Sequence, residues 1–264
     1  MKKLIRNILW GVFIIGVGVL MAFINKKQET KIVGLPEIDI EVFEHMLFLT
    51  KEQVYERLSY KNLIGEDRQY SQLEIEEIEQ QIENMPEVRT VDVYVYVSGK
   101  WMIDIDLRKP IARIFNQDGS SFYIDQDGKL MPLSNTYTAR VMTINGFVNE
   151  TDESKNAIEI MNNDSLKTIE ILDDLYAISS YVCSDEFFSA QITHVFVNEF
   201  NEFELIPRVG DQRILFGDGN FIEGKFKKLE YFYSEGINRA GWENYDTFNI
   251  MYTDKIYGSQ RYPN

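Results

Sequence analysis

The side chains with the most reactive chemistry are few. Cys183 is the single cysteine, and His45 and His194 are the two histidines of the 264-residue chain. A nucleophilic thiolate needs a base and an electropositive setting. The histidines sit in unrelated segments, His194 beside a strand-like run. Cys183 follows Ile178, Tyr181 and Val182 at helical spacing, where a lone cysteine is a small apolar residue. Two distant histidines and one cysteine do not supply a zinc site. Asp125-Gln126-Asp127-Gly128 has the start of a calcium loop, but its spacing puts Tyr123 and Ser134 where carboxylates are needed, so it reads as a turn. The acid pairs Asp173-Asp174 and Glu76-Glu77 are adjacent on helices, point in different directions, and cannot flank one bond. No HExxH, GxSxG or P-loop pattern is present. The sequence predicts no catalytic residue, no metal and no cofactor. Carboxylates converging from far apart are the one hydrolytic route left open.

What such a chain offers instead is surface for partners. Near the C-terminus, Phe248, Ile250 and Tyr252 alternate with Asn249 and Met251, then Thr253-Asp254 turns into Lys255, Ile256 and Tyr257. That is a candidate strand edge, and an ordinary hairpin with its aromatics in the core competes with it. A second candidate is Glu83, Pro86, Glu87 and Val88, where a helix passes into a strand; a plain solvated face competes there.

The elements that must position these groups follow from periodicity. Residues 37–49 read as a strand and a turn. Thr50 to Gln53 is a capping-box pattern opening a helix with Val54, Tyr55 and Leu58. Ser71 to Glu74 marks a second helix start, and Leu73, Ile75, Ile78 and Ile82 share one face until Pro86 ends it. The period then drops to two. Val88, Val91, Val93, Val95 and Val97, then Trp101, Ile103, Ile105 and Leu107, form a hairpin about Ser98-Gly99 with one buried and one acidic face. Beyond Pro110, strands are expected at 111–115, 121–124, 129–131, 141–146, 192–198, 203–208, 212–216, 247–252 and 255–259. Asp118-Gly119 and Asp127-Gly128 are turn signals between the first three. Helices are expected at 164–184 and 222–239, with 149–164 irregular. The fold class is α+β.

Composition frames the whole. The chain has 27 Lys and Arg against 42 Asp and Glu, and five of the basic residues fall within the first 27 positions, which hold no acid; the remainder therefore carries a net charge of −20. Such a surface repels nucleic acid and anionic lipid head groups. Residues 8–24 contain no charged side chain, and Leu4 and Ile5 extend the run to the roughly 20 residues that span a bilayer. A retained single transmembrane helix is expected over 8–24. A cleaved signal peptide is the rival reading, but Met21 to Lys27 offers no small-x-small cleavage site. The short basic stub, 1–7, places the N-terminus in the cytoplasm and the remainder outside it. With one cysteine, that remainder is held by its core and not by disulfides.

The ordered set of motifs resembles the FtsQ/DivIB family of bacterial cell-division proteins. Residues 82–95, with Glu83, Pro86, Val88 and Val93, resemble the family's passage from second helix to hairpin. Trp101 to Arg113, with Arg108, Pro110 and Ala112, resembles its junction between domains. Tyr123-Ile124-Asp125 and Gly128 resemble the hairpin that opens its second domain. Residues 208–217, with Arg208, Gly210 and Gly217, resemble a strand pair, Phe226 to Leu229 a following helix, and Asn249 to Tyr252 a late strand. Leu107 and Asn249 stand where the family has acidic residues.

The resemblance implies a cytoplasmic stub at 1–7, the transmembrane helix at 8–24, a linker at 25–36, a POTRA domain (βααββ) at 37–109 and a mixed β domain with two flanking helices at 110–264. It implies a non-enzymatic, bitopic scaffold in the cytoplasmic (inner) membrane at the division septum, its ectodomain in the periplasm. Implied partners are small bitopic division proteins of the FtsB/DivIC and FtsL type, joined by strand addition at the C-terminal edge. Two other readings stay open: a POTRA-bearing protein of outer-membrane assembly or secretion, and an anchored cell-envelope hydrolase. The first would need about 10-residue alternating strands closing a barrel, which the acidic helices do not supply.

Overall fold

A computed structural model describes residues 10–21, 31–41, 47–96, 98–134, 137–150, 156–162, 171–241, 243–252 and 254–261. The chain divides into two compact units, Met1–Leu107 and Arg108–Asn264. A helix, α1, runs over 10–21, and its apolar side chains stand exposed, Ile15 at 68%. Among the described residues no helix is long and apolar enough to cross a membrane. The span expected over 8–24 extends past the described part of α1 at both ends, and the stub at 1–7, part of the linker, His45 and Val97 lie outside the described residues.

The first unit has the expected βααββ order. β1 (Glu37–Glu41) is followed by α2 (Lys51–Tyr60), α3 (Ile75–Glu83), β2 (Val88–Val95) and β3 (Trp101–Leu107). The sheet order is β1-β3-β2, with β1 parallel and β2 antiparallel to the central β3. Thr50 caps α2 reciprocally: its Oγ1 accepts the Gln53 N–H at 3.3 Å, and Gln53 Oε1 accepts the Thr50 N–H at 2.9 Å. The helix start expected at Ser71 to Glu74 falls later, at Ile75. Tyr70–Gln72 makes a 3-10 turn instead, and α3 opens at Ile75 behind Glu74, which makes no side-chain cap. The competing contacts are Gln69 N–H to Gln72 Oε1 at 3.1 Å and Tyr70 N–H to the Lys31 carbonyl at 2.8 Å. They hold the turn before the helix can start. A bulge between Val88 and Thr90 explains the three-residue step between buried Val88 and Val91. Val54, Leu58, Ile78 and Ile82 of the helices meet Ile103, Ile105 and Trp101 of β3 in one core.

The described residues of the second unit form a nine-stranded mixed sheet with helices packed on it. Its strands are β4 (Pro110–Phe115), β5 (Ser121–Asp125), β6 (Leu130–Met131), β7 (Met142–Gly146), β8 (Ile192–Val197), β9 (Phe203–Pro207), β10 (Arg213–Gly217), β11 (Tyr245–Asn249) and β12 (Tyr257–Gln260). They lie in the order β12-β11-β10-β9-β8-β7-β4-β5-β6. The core gathers Ile114, Ile144, Val195, Leu205, Ile214 and Phe216 from the strands. Against them pack Leu175, Ile178 and Val182 of α5 (Leu172–Ser184), Phe188 of α6 (Glu186–Gln191), and Phe226 and Leu229 of α7 (Ile222–Tyr231). The Phe226 ring stacks on Tyr181 at 4.3 Å and 6°.

Several expectations change here. Within the segment read as irregular, Ala157–Met161 forms α4, capped by Asn156. α6 follows α5 after a break at Asp185, whose carboxylate accepts the Phe188 N–H at 2.9 Å. Leu166 and Ile169 of the helix expected at 164–184 lie outside the described residues. The helix expected over 222–239 is α7, a π turn at Phe232–Gly236 and α8 (Ile237–Ala240). Gly236 permits the π turn, since a Cβ there would lie 2.6 Å from the Phe232 ring. The last two strands are displaced from 247–252 and 255–259. The Asn249 side chain accepts the Met251 N–H at 3.0 Å and turns the chain out of the sheet after β11.

Candidate partner-binding edge

Among the described residues β12 ends the large sheet with one neighbour, β11, and all four of its residues are exposed. The pair is antiparallel, Thr247 facing Ser259, Phe248 facing Gly258 and Asn249 facing Tyr257, with a bulge between Tyr245 and Thr247. The Arg261 N–H bonds to the Asn244 carbonyl at 2.9 Å. Backbone groups alternate sides along a strand, so Tyr257 and Ser259 also point at β11, and the N–H and C=O of Gly258 and Gln260 point away from the sheet. Gly258 leaves room for the neighbouring Tyr245 ring, from which a Cβ would stand 2.5 Å. Arg261 closes the far end of the strand, with Nε 2.7 Å from Asp246 Oδ1 and Nη1 3.7 Å from Asp211 Oδ2.

The structure divides the residues expected at this edge. Phe248 and Ile250 are buried, at 4% and 0% exposure. Phe248 packs 4.7 Å from Phe232, and the Ile250 N–H bonds to the Leu215 carbonyl at 3.0 Å. They are core residues, not surface for a partner. Tyr252 and Tyr257 are exposed and pair edge-to-face at 5.5 Å. Lys255 is exposed and Ile256 packs partly on the core. Thr253 lies outside the described residues. Gly258, Ser259 and Gln260, which sequence reasoning missed, form most of the free strand. The signal for them was Gly258 itself, an interior strand glycine that marks a close approach.

At the first unit's face, Glu83 and Pro86 are exposed, but Val88 is fully buried and belongs to the core. Glu87 lies 3.7 Å from Arg57. The bulge at Val88 turns that side chain inward. Nearby, a cleft of about 430 Å³ lined by Arg57, Leu58, Tyr60, Lys61, Gln81 and Met85 had no sequence signal.

The groups first considered for catalysis are occupied otherwise. His194 sits on β8 with Nδ1 2.8 Å from Thr143 Oγ1 and Nε2 3.0 Å from Asn145 Oδ1. Burial lowers its pKa, which suits a neutral imidazole accepting the threonine hydroxyl proton and donating to the amide oxygen. Cys183, near the end of α5, is partly buried against the core. Asp125 shapes its turn, accepting the N–H of Asp127 at 2.9 Å and of Lys129 at 2.8 Å, beside Arg108 at 3.1 Å. Among the described residues no group of three or more His, Cys, Asp or Glu is placed to hold a metal ion.

The family model described as FtsQ/DivIB, C-terminal related, matches residues 109–259. The chain belongs to the FtsQ/DivIB C-terminal related family. A POTRA-like domain model matches residues 36–106. No curated protein matches the chain. The family resemblance carried by the dispersed motifs is therefore a family membership, and the FtsQ/DivIB-related match covers every strand of the second unit except the last residue of β12.

Proposed function

We propose that this FtsQ/DivIB-related chain is a non-enzymatic, bitopic scaffold of the cell-division machinery. In this reading residues 1–7 are cytoplasmic, 8–24 span the inner membrane, 25–36 link, 37–109 form the POTRA domain and 110–264 the β domain on the outer side, at the septum. Small bitopic proteins of the FtsB/DivIC and FtsL type add a strand to β12. The observation that carries this reading is the open edge at Gly258 and Gln260, flanked by the exposed Tyr252 and Tyr257. Two outward residues offer two donors and two acceptors, each hydrogen bond contributing about 0.5–1.5 kcal/mol. That is a modest sum, so side-chain contacts with Tyr252, Lys255, Ile256 and Tyr257 carry specificity. Glu83, Pro86 and Glu87 are a second, smaller contact surface in this reading.

The test is capture from membranes by the tagged full chain, compared with a chain ending at Asp254. That cut removes β12 and spares Phe248 and Ile250, whereas a cut at Asp246 would strip two core side chains and test folding. The expected result is that the full chain captures small bitopic coiled-coil proteins and the shortened chain does not. Equal capture by both would move the site to the first unit; capture by neither would overturn the scaffold reading.

A further inference from the structure

α7 reaches the edge through one side chain. Lys228 Nζ donates to the Ile250 carbonyl at 2.7 Å and also to the Tyr252 carbonyl. These are the residues where the chain has left β11, so their carbonyls have lost the ladder that would otherwise satisfy them. Between them, Met251 lies over Gly217, where a Cβ would stand 2.8 Å from Met251 Cγ and where φ is +77°. One helical turn earlier, Lys225 acts at the neighbouring strand. Its Nζ donates to the Asp218 carbonyl at 2.7 Å and to Asp218 Oδ1 at 2.9 Å, and lies 4.9 Å from the Phe216 ring centroid.

β10 and β11 are parallel, so their C-terminal ends lie side by side, and a spacing of three puts both lysines on one face of α7. Their duties differ. Lys225 is buried and ties down the turn that leads back into its own helix. Lys228 is half-buried and holds the segment that leads into β12. Because the Tyr252 ring rests against Tyr257, fixing Tyr252 also fixes the first residue of the free strand.

We propose that Lys228 is a positioning residue for the partner edge: it holds the connection between β11 and β12, and so the register in which Gly258 and Gln260 meet an incoming strand. The inference rests on the edge reading above and adds to it a residue that touches no partner.

The test uses the full chain with p-benzoylphenylalanine at Ser259, irradiated in membranes, and amide exchange of the same chain in detergent. Lys228→Met keeps the stem and removes the donors; Lys228→Arg keeps donors at a similar reach. The expected result for Lys228→Met is exchange about tenfold faster over 250–260 and cross-linking about tenfold weaker, the scale of a lost charge-assisted hydrogen bond. Protection in β8 and β9 should stay unchanged, and Lys228→Arg should restore most of the cross-linking. Unchanged exchange would overturn the proposal, and so would faster exchange with undiminished cross-linking, which would make Lys228 structural only. Loss of protection in β8 and β9 with Lys228→Met and no rescue by Lys228→Arg would also overturn it. Absence of any adduct from the chain with Lys228 intact, its edge amides still protected, would instead fail the edge reading and take the positioning role with it.

Discussion

Among the described residues each of the two sheets ends in strands with a single neighbour, and the ends are treated differently. In the first unit, β2 is covered from its own helix: Glu79 Oε1 of α3 accepts the Val93 N–H at 3.0 Å. β1, at the other end, carries exposed Glu37, Asp39 and Glu41. In the second unit, β6 is two residues long and buried, while β12 has four exposed residues. Charges, short length and side-chain caps are the usual means of keeping an unpaired strand from templating another chain. β12 is short as well, at four residues, but carries no charged side chain between Tyr257 and Gln260. That difference is what the proposed pairing at β12 rests on.

The contrast can be broken most forcefully from the core. Phe226 is fully buried and touches Tyr181, Phe188 and Phe216. Phe226→Ala should cost about 4 kcal/mol in denaturant unfolding, with partner capture failing alongside it. If capture survives at full strength, the binding surface lies in the first unit. A narrower cut is Gln260→Pro. It removes one outward N–H and leaves the bonds to β11 in place, so the fold should hold. Losing the donor and crowding the incoming strand should lower capture by roughly a hundredfold, about 3 kcal/mol; unchanged capture would show that β12 does not pair.

Acid separates the two units in another way. Asp174 lies against Gly219, whose N–H it accepts, and its pKa is pushed up to about 6, first by burial, then by Asp173 and Asp218, with Lys225 opposing. The folded value exceeds the ordinary 3.8, so the folded chain holds a proton that the unfolded chain lacks between about pH 4 and 6. This group's contribution to stability is fully present below pH 4 and is lost as pH rises through 6. Asp174→Asn should therefore raise the Tm of the second unit by about 2–4 °C at pH 7.5, an expectation reduced for the group's partial exposure. The gain should vanish by pH 4, and a gain independent of pH would assign it to packing. The smallest effect is at the covered edge. Glu79→Ala should cost the first unit about 1 kcal/mol and uncover the Val93 N–H. It should confer no capture on a chain ending at Asp254; capture regained there would mean that any exposed edge of this molecule recruits.

Much of the scaffold was legible beforehand because its signals are local. Val91 and Val93 alternate, Ile78 and Ile82 lie one turn apart, Thr50 and Gln53 make a capping pair, and Gly128 takes φ +72° in the turn that Asp125 organises. Each depends on residues a few positions apart. The misreadings arose where local and non-local forces competed. Ser71 to Glu74 looked like a helix start, but the incoming chain at Lys31 took the Tyr70 N–H. Phe248, Ile250 and Tyr252 looked like one strand face; Phe248 and Ile250 do share the buried face, but the Asn249 side chain holds the Met251 N–H where the strand ends, and Tyr252 stands exposed.

By itself the sequence determined the order and type of most elements, the acidic surface and the family, since periodicity, turn residues, charge and dispersed motifs are written along the chain. Only the tertiary structure decided that β12 lies at the end of nine strands, that Val88 and Ile250 are enclosed, and that Lys228 reaches Ile250 and Tyr252. Those outcomes depend on which strands pair across long stretches of chain, as β4 does with β7 and β10 with β11. Parallel pairing of that kind is fixed by how whole faces bury together, and no short run of residues encodes it.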